Sequence, residues 1–246
     1  MMQTLLFVLS ASAMLWLPIV LLSYLSTTYY RLLGRRTTIC LGVIGVPIHE
    51  LSHLLMCFVM GHKPVRLKLF SVASDGTFGS VEYRYTPSVM ASLKNILISL
   101  APIPGGITTF CLVTYLLRPD LLGAWYDVNH ALYSQMEWQQ QFSLFIKQVT
   151  EGDGAITVLW ASLSFSILMF CAPSRADFSG CTRGVLMIIG FAIACMWALP
   201  EQTVRFLENA SPFFGFSGAA MLSALLLISS MIAMLMSAKF LINRLR

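Results

Sequence analysis

The chain has 246 residues, of which 57% are hydrophobic and 11% are charged, and its formal net charge is +5. An ordinary globular domain is about 25% charged, so this composition excludes a water-soluble fold and indicates an integral membrane protein. It also excludes a disordered chain or a coiled coil. The 16 Lys and Arg residues form no basic patch interleaved with aromatic residues, so we expect no nucleic acid partner.

Bilayer-length apolar runs predict an all-α polytopic membrane protein, because a transmembrane helix needs about 20 apolar residues. We expect about six transmembrane helices in a single membrane domain, residues 1–246. The first run is longer than the core of a signal peptide, so we interpret it as a retained helix. The six runs are 4–25, 39–61, 88–117, 155–173, 184–200 and 213–242.

The distribution of basic residues predicts the orientation of the chain. Six crossings place both termini, the segment 62–87 and the turn 174–183 on one side of the membrane. That side carries ten Lys and Arg residues and the other side six, although Arg35 and Arg36 are among the six. The positive-inside rule therefore favours cytoplasmic termini. We expect the lipid bilayer to be a bacterial cytoplasmic membrane.

The second apolar run contains His49-Glu50-Leu51-Ser52-His53, the pattern H-E-x-x-H. Residues i and i+4 share one face of a helix, so His49 and His53 can bind one Zn²⁺ ion, with Glu50 beside them as general base. Each charge inside a span costs roughly 2.5–3.5 kcal/mol, which a metal or a water-lined cavity would offset. The alternative is a histidine pair held by hydrogen bonds between helices, which explains neither Glu50 nor the spacing.

The segment that follows the second run predicts a β-hairpin within 62–87. Residues 65–70 and 81–85 alternate apolar and polar side chains, and Asp75-Gly76 and Gly79 lie between them. An exposed strand edge can bind an extended peptide by β-addition. Val81 and Tyr83 are therefore candidate substrate-binding residues. The alternative is a hairpin that only packs against the rim of the site.

The third run, 88–117, is predicted to be a broken helix, because Ala101-Pro102-Ile103-Pro104-Gly105-Gly106 cannot continue a regular helix. Broken helices at membrane depth occur where protein or a cavity satisfies the freed backbone groups. Residues 118–154 are polar and aromatic, which fits either an amphipathic helix at the interface or an ordered loop.

Asp177 is the candidate third zinc ligand. A catalytic zinc ion usually takes three protein ligands and keeps one position for water. Asp177 is the only acid between 154 and 200, and the predicted crossings put it at the depth and side of His49 and His53. The alternative is that Asp177 caps a helix or lies at the surface.

Residues 39–180 resemble the core of the site-2 protease family of intramembrane zinc metalloproteases. The similarity is the order of parts: an H-E-x-x-H helix, the hairpin 62–87, the broken helix 88–117, and the helix 155–173 followed by the Asp177 turn. The stretch 101–106 stands where the family has a Gly-Pro-x-x-Asn-like sequence. The chain lacks the Asn-Pro-Asp-Gly or Leu-Asp-Gly motif in which the family usually presents its third ligand.

The resemblance implies a zinc metalloendopeptidase that hydrolyses peptide bonds in or near transmembrane segments of a membrane-protein or peptide substrate. It also implies that Gly105 and Gly106 help to bind substrate, with Asn95 as another candidate for the polar role. Two alternatives stay open. One is an HtpX-like membrane zinc peptidase with Glu137 as third ligand, and the other is a non-proteolytic metal-binding scaffold or transporter.

Overall fold

The computed structural model describes residues 2–72, 78–134 and 137–244. Within these ranges the chain forms nine α-helices and one antiparallel pair of β-strands. The strands are β1 (Lys63–Lys68) and β2 (Ser80–Arg84). The helices are α1 (Met2–Leu33), α2 (Arg35–Met60), α3 (Val89–Leu100), α4 (Pro102–Leu117), α5 (Asp120–Ser134), α6 (Trp138–Thr150), α7 (Gly154–Phe170), α8 (Arg175–Ala198) and α9 (Pro200–Arg244).

Four helical segments in the described part of the chain are long and apolar enough to cross a membrane. Helix α7 is apolar but has only 17 residues. The α-helical membrane class is thus supported, whereas the number of six spans stays a prediction. The four segments are Arg35–Met60, Val89–Leu117, Arg175–Ala198 and Pro200–Ser237.

The helix that carries H-E-x-x-H is flanked by two glycines with positive φ angles. Gly34 precedes α2 with φ 79°, and Gly61 follows it with φ 72°. Side chains disfavour this conformation, so glycine is the usual residue at such helix ends. The chain turns at Gly61 and enters β1 directly, which places the hairpin next to the end of α2.

The third apolar run breaks where the sequence predicts. Helix α3 ends at Leu100 and α4 begins at Pro102, whose ring removes a backbone donor. Ala101 keeps helical angles, φ −53° and ψ −33°, so the two helices form one bent rod. For residues 118–154 a helix and a loop were both open, and most of the described residues in this range fold as α5 and α6.

The predicted antiparallel hairpin is present, but β1 begins and ends two residues before the predicted segment 65–70, and β2 one residue before the predicted 81–85. Val81 lies opposite Leu67 and Tyr83 opposite Pro64, with an irregularity between Pro64 and Arg66. The expected turn at Asp75-Gly76 lies outside the described residues.

Helix α2 lies at the centre of the bundle, in contact with α3, α4, α7 and both strands. Gly45 brings it close to α7, since a Cβ atom there would overlap the Ser166 carbonyl and the Phe170 ring. On the far side of α4 and α7 an aromatic core forms from Phe110, Trp125, Phe145 and Trp160. The close α2–α7 contact carries the end of α7 to the face that bears the histidines.

Candidate metal centre

His49 and His53 lie one helical turn apart, with their Nε2 atoms 3.1 Å from each other. His49 Nδ1 donates to the carbonyl of Phe170 at 2.7 Å, and His53 Nδ1 donates to the carbonyl of Ile98 at 2.7 Å. A carbonyl oxygen only accepts, so each neutral ring carries its proton on Nδ1. The two Nε2 lone pairs therefore converge on the same space.

Asp177 completes this group from the first turn of α8. Its Oδ1 atom lies 3.0 Å from His53 Nε2 and its Oδ2 atom 3.5 Å from His49 Nε2. The same carboxylate accepts the backbone N–H of Ser174 at 2.6 Å in a capping box. Asp177 thus lies beside the histidines and also takes part in a capping box, so the capping role weighed from the sequence is confirmed and the ligand role stays a prediction.

The donor set fits a zinc ion. Two imidazole nitrogens and a carboxylate face one another, and ligand atoms of the three residues lie within 4.8 Å of one another. Neighbouring ligands of a tetrahedral zinc ion are about 3.3 Å apart for bonds of about 2.0–2.1 Å, close to the separations found here. Zinc-bound histidines typically donate their other N–H to a carbonyl or carboxylate, as both rings do.

Glu50 lines the same cavity as the three candidate ligands, a space of about 550 Å³. Its side chain is buried, and a Cβ atom at Gly79 would lie 2.8 Å from its Oε1 atom. The absence of a side chain at Gly79 therefore leaves room for the carboxylate. A cavity of this size, lined by these polar groups, has room for water beside Glu50.

Strand β2 forms one wall of the cavity, to which Ser80, Val81 and Tyr83 contribute. Burial raises the pKa of Tyr83 to about 12, with further contributions from Cys57 and Tyr85. Its phenol is therefore neutral at physiological pH and can donate a hydrogen bond. Two of the five expected substrate-binding residues, Val81 and Tyr83, thus lie at the cavity.

The other three expected substrate-binding residues do not line the cavity. Asn95 Oδ1 accepts a hydrogen bond from the buried His62 at 3.1 Å. Gly105 packs against Ser52 and Gly106 against Cys171, and a Cβ atom at either glycine would overlap the side chain that it contacts. Small residues allow close approach of membrane helices. The structure therefore gives Gly105 and Gly106 a packing role between α4 and its neighbours.

The remaining acid considered from the sequence, Glu137, is exposed and precedes α6. It is not part of the converging group. Among the described side chains, His49, His53 and Asp177 are the one set of three His, Cys, Asp or Glu residues placed to share an ion.

Sequence reasoning missed a hydroxyl-bearing face of α1, formed by Ser23, Ser26, Thr27 and Tyr30, which lines the cavity. Ser23 donates to the Pro173 carbonyl at 2.9 Å and Tyr30 to the Met169 carbonyl at 3.1 Å. The Ser26 hydroxyl is buried without a partner among the described residues. The spacing i, i+3, i+4, i+7 was a readable signal for one face. At the start of α8, the pattern Ser174-x-x-Asp177 likewise predicts the capping box that the structure contains.

No protein family model, curated protein or solved structure matches this chain.

Proposed function

We propose that this chain is an intramembrane zinc metalloendopeptidase, similar in mechanism to the site-2 protease family, that cleaves peptide bonds in or near transmembrane segments. The observation that carries the proposal is the convergence of two imidazole nitrogens and the Asp177 carboxylate beside Glu50 in one cavity. A metal carrier needs the three ligands but has no use for a carboxylate next to them. Hydrolysis needs both.

His49, His53 and Asp177 would hold the zinc ion. When bound, the ion supplies Lewis-acid chemistry, polarising a carbonyl oxygen and making water nucleophilic near neutral pH. Glu50 takes a proton from the attacking water as the new C–O bond forms. As the C–N bond breaks, the protonated Glu50 delivers that proton to the departing nitrogen.

The substrate would be an extended peptide segment, because an intact helix keeps its carbonyls in internal hydrogen bonds. Each backbone group left unsatisfied in hydrocarbon costs several kcal/mol. Strand β2 lies at the cavity and has an edge that β1 does not occupy. An unwound segment would satisfy its backbone groups by pairing with that edge.

The proposal includes the membrane arrangement. Six transmembrane segments would cross a bacterial cytoplasmic membrane, with both termini in the cytoplasm. These segments are α1, α2, the α3–α4 pair, α7, α8 and α9. Strongly exposed apolar side chains on α8, such as Phe191 at 72% and Trp197 at 89%, support contact with lipid.

The test is cleavage of reporter transmembrane segments by the purified chain in liposomes. The reporters carry central helix-breaking residues, and zinc is measured in every sample. We expect Glu50→Gln to retain zinc and to lower the cleavage rate about 100- to 10,000-fold, the usual contribution of a general base. Glu82→Gln on the exposed face of the hairpin is the matched control and should cleave normally.

Equal cleavage by the Glu50→Gln variant and the wild type would contradict the proposal. So would the absence of zinc-dependent cleavage by the wild type across the reporter set. Retained zinc without any cleavage would point to the scaffold or transporter alternative.

A further inference from the structure

The connection between α7 and α8 contacts two of the three candidate ligands. Phe170, the last residue of α7, accepts His49 Nδ1–H on its carbonyl. Ser174, the N-cap of α8, donates its backbone N–H to Asp177 Oδ2 at 2.6 Å. Between them, the Pro173 carbonyl accepts a hydrogen bond from the Ser23 hydroxyl of α1. Four residues after the His49 contact, the chain therefore presents a fixed donor to the third ligand.

We infer that the backbone N–H of Ser174 is a positioning group for the zinc ligand Asp177. The inference rests on the proposed metal centre. This N–H binds Oδ2, the carboxylate oxygen that lies 3.5 Å from His49 Nε2. It thereby turns the other oxygen, Oδ1, toward His53 at 3.0 Å. Hydrogen bonds to ligand carboxylates fix their orientation and strengthen metal binding.

The Ser174 hydroxyl has a different task. It accepts the backbone N–H of Asp177 at 3.3 Å, which satisfies one of the free donors of the first turn of α8. The N–H bond is shorter and joins a donor to an ionised group, so it is the stronger of the two. The hydroxyl starts the helix, and the N–H orients the ligand.

Substitutions at this position separate the two groups. Ser174→Ala removes the hydroxyl and keeps the N–H. Ser174→Pro removes both, and the native angles of Ser174, φ −77° and ψ 171°, suit proline. A third variant carries lactic acid in place of Ser174, introduced by nonsense suppression. It differs from Ser174→Ala only in that an ester oxygen replaces the N–H.

The measurements are the zinc dissociation constant, by competition with a chromophoric chelator, and the visible spectrum of Co²⁺ bound in place of zinc. We expect the proline and lactic acid variants to bind zinc about 10- to 100-fold more weakly, as for other partners of metal ligands. Their Co²⁺ bands should also shift. Ser174→Ala should keep wild-type zinc affinity and spectrum while the thermal midpoint of the metal-free protein falls.

Equal zinc affinity in the lactic acid variant and Ser174→Ala would overturn the inference, whatever the proline variant does. An equal loss of affinity in both would assign the effect to the hydroxyl and overturn it too. A wild-type chain that binds no zinc would remove the proposed metal centre itself. If the wild type cleaves in a zinc-dependent way and the lactic acid variant keeps the zinc affinity of Ser174→Ala, only the positioning role is removed and the proposed function stands.

Discussion

Asp177 takes part in two structures at once, the start of α8 and the converging histidine group. The substitution Asp177→Asn separates the capping contribution from the metal-binding contribution. Its amide oxygen can still accept the Ser174 N–H, while the negative charge is lost. A substitution of Asp177 can therefore change the zinc affinity without changing the stability of the metal-free protein.

We therefore expect Asp177→Asn to keep the thermal midpoint of the metal-free protein while weakening zinc binding by at least about 100-fold, since even outer partners of ligands cost about 10- to 100-fold. Asp177→Ala should lower both quantities, because the cap is lost as well. The measurements are a zinc titration and thermal unfolding of each metal-free variant. Asp153→Asn, at the carboxylate that caps α7, is the control and should bind zinc normally. Unchanged zinc affinity in Asp177→Asn would mean that Asp177 is not a ligand.

At this scale the sequence predicts side chains better than it predicts their partners. His49 and His53 are readable because helical spacing puts i and i+4 on one face. The Phe170 and Ile98 carbonyls that fix both rings are not readable, because every residue has a carbonyl and only the packing of α7 and α3 on α2 selects these two. The role expected of Gly105 failed to appear at the cavity for a similar reason, since a glycine pattern does not say which neighbour approaches it.

Of the two strands, β2 is the one that lines the cavity, so the proposed pairing with substrate depends on this strand. Its period-two pattern predicted the strand, and the glycine at the end of α2 fixes where the hairpin starts. The register and the irregularity near Pro64 were not predictable, because the turn residues alone do not fix pairing when the loop is long.

We expect Val81→Pro and Tyr83→Pro to lower reporter cleavage with zinc content unchanged, because proline removes one backbone donor and disfavours strand pairing. Lys68→Pro, at the end of β1, is the control, since Lys68 does not line the cavity. Cleavage rate and zinc content are measured together in folded protein. Full activity in both β2 variants would exclude pairing with this strand and leave the zinc chemistry untouched.

For the molecule as a whole, a buried cation joins several helices that are distant in the sequence from the hairpin. Arg118, at the end of α4, binds both carboxylate oxygens of Asp120 and donates to the carbonyls of Gln148 and Val149 and to the hydroxyl of Thr157. Four consecutive helices therefore share one guanidinium, which can satisfy five acceptors in a fixed geometry.

The hydrogen bond from Arg118 lowers the pKa of Asp120 below its usual value. A lowered pKa in the folded state stabilises the protein above the unfolded pKa, about 4, and this contribution is lost as the pH falls below it. We expect the thermal midpoint of the wild type to fall more steeply than that of Asp120→Asn as the pH is lowered from about 4 through the lowered pKa of Asp120. Asp127→Asn on the exposed side of α5 should follow the wild type. Parallel pH profiles for the wild type and Asp120→Asn would contradict this role of the ion pair.

Composition alone predicts the membrane class, because a chain with 11% charged residues cannot cover a surface in water. The apolar runs predict the helices, and Pro102 and Pro104 predict the break at Ala101. Which helices touch was not predictable, because lipid-facing and protein-facing residues are equally apolar in a membrane protein. The α1 wall of the cavity escaped notice for that reason, even though its hydroxyl spacing is visible in the sequence.

The most direct test of the central claim is the zinc content of the purified chain, wild type beside His53→Ala, after expression with zinc present. The account predicts about one zinc ion per wild-type chain, held by His49, His53 and Asp177, and almost none in His53→Ala. His130→Ala, which changes an exposed histidine on α5, should retain the full amount. A wild-type chain without zinc, or a His53→Ala variant that keeps it, would contradict the account.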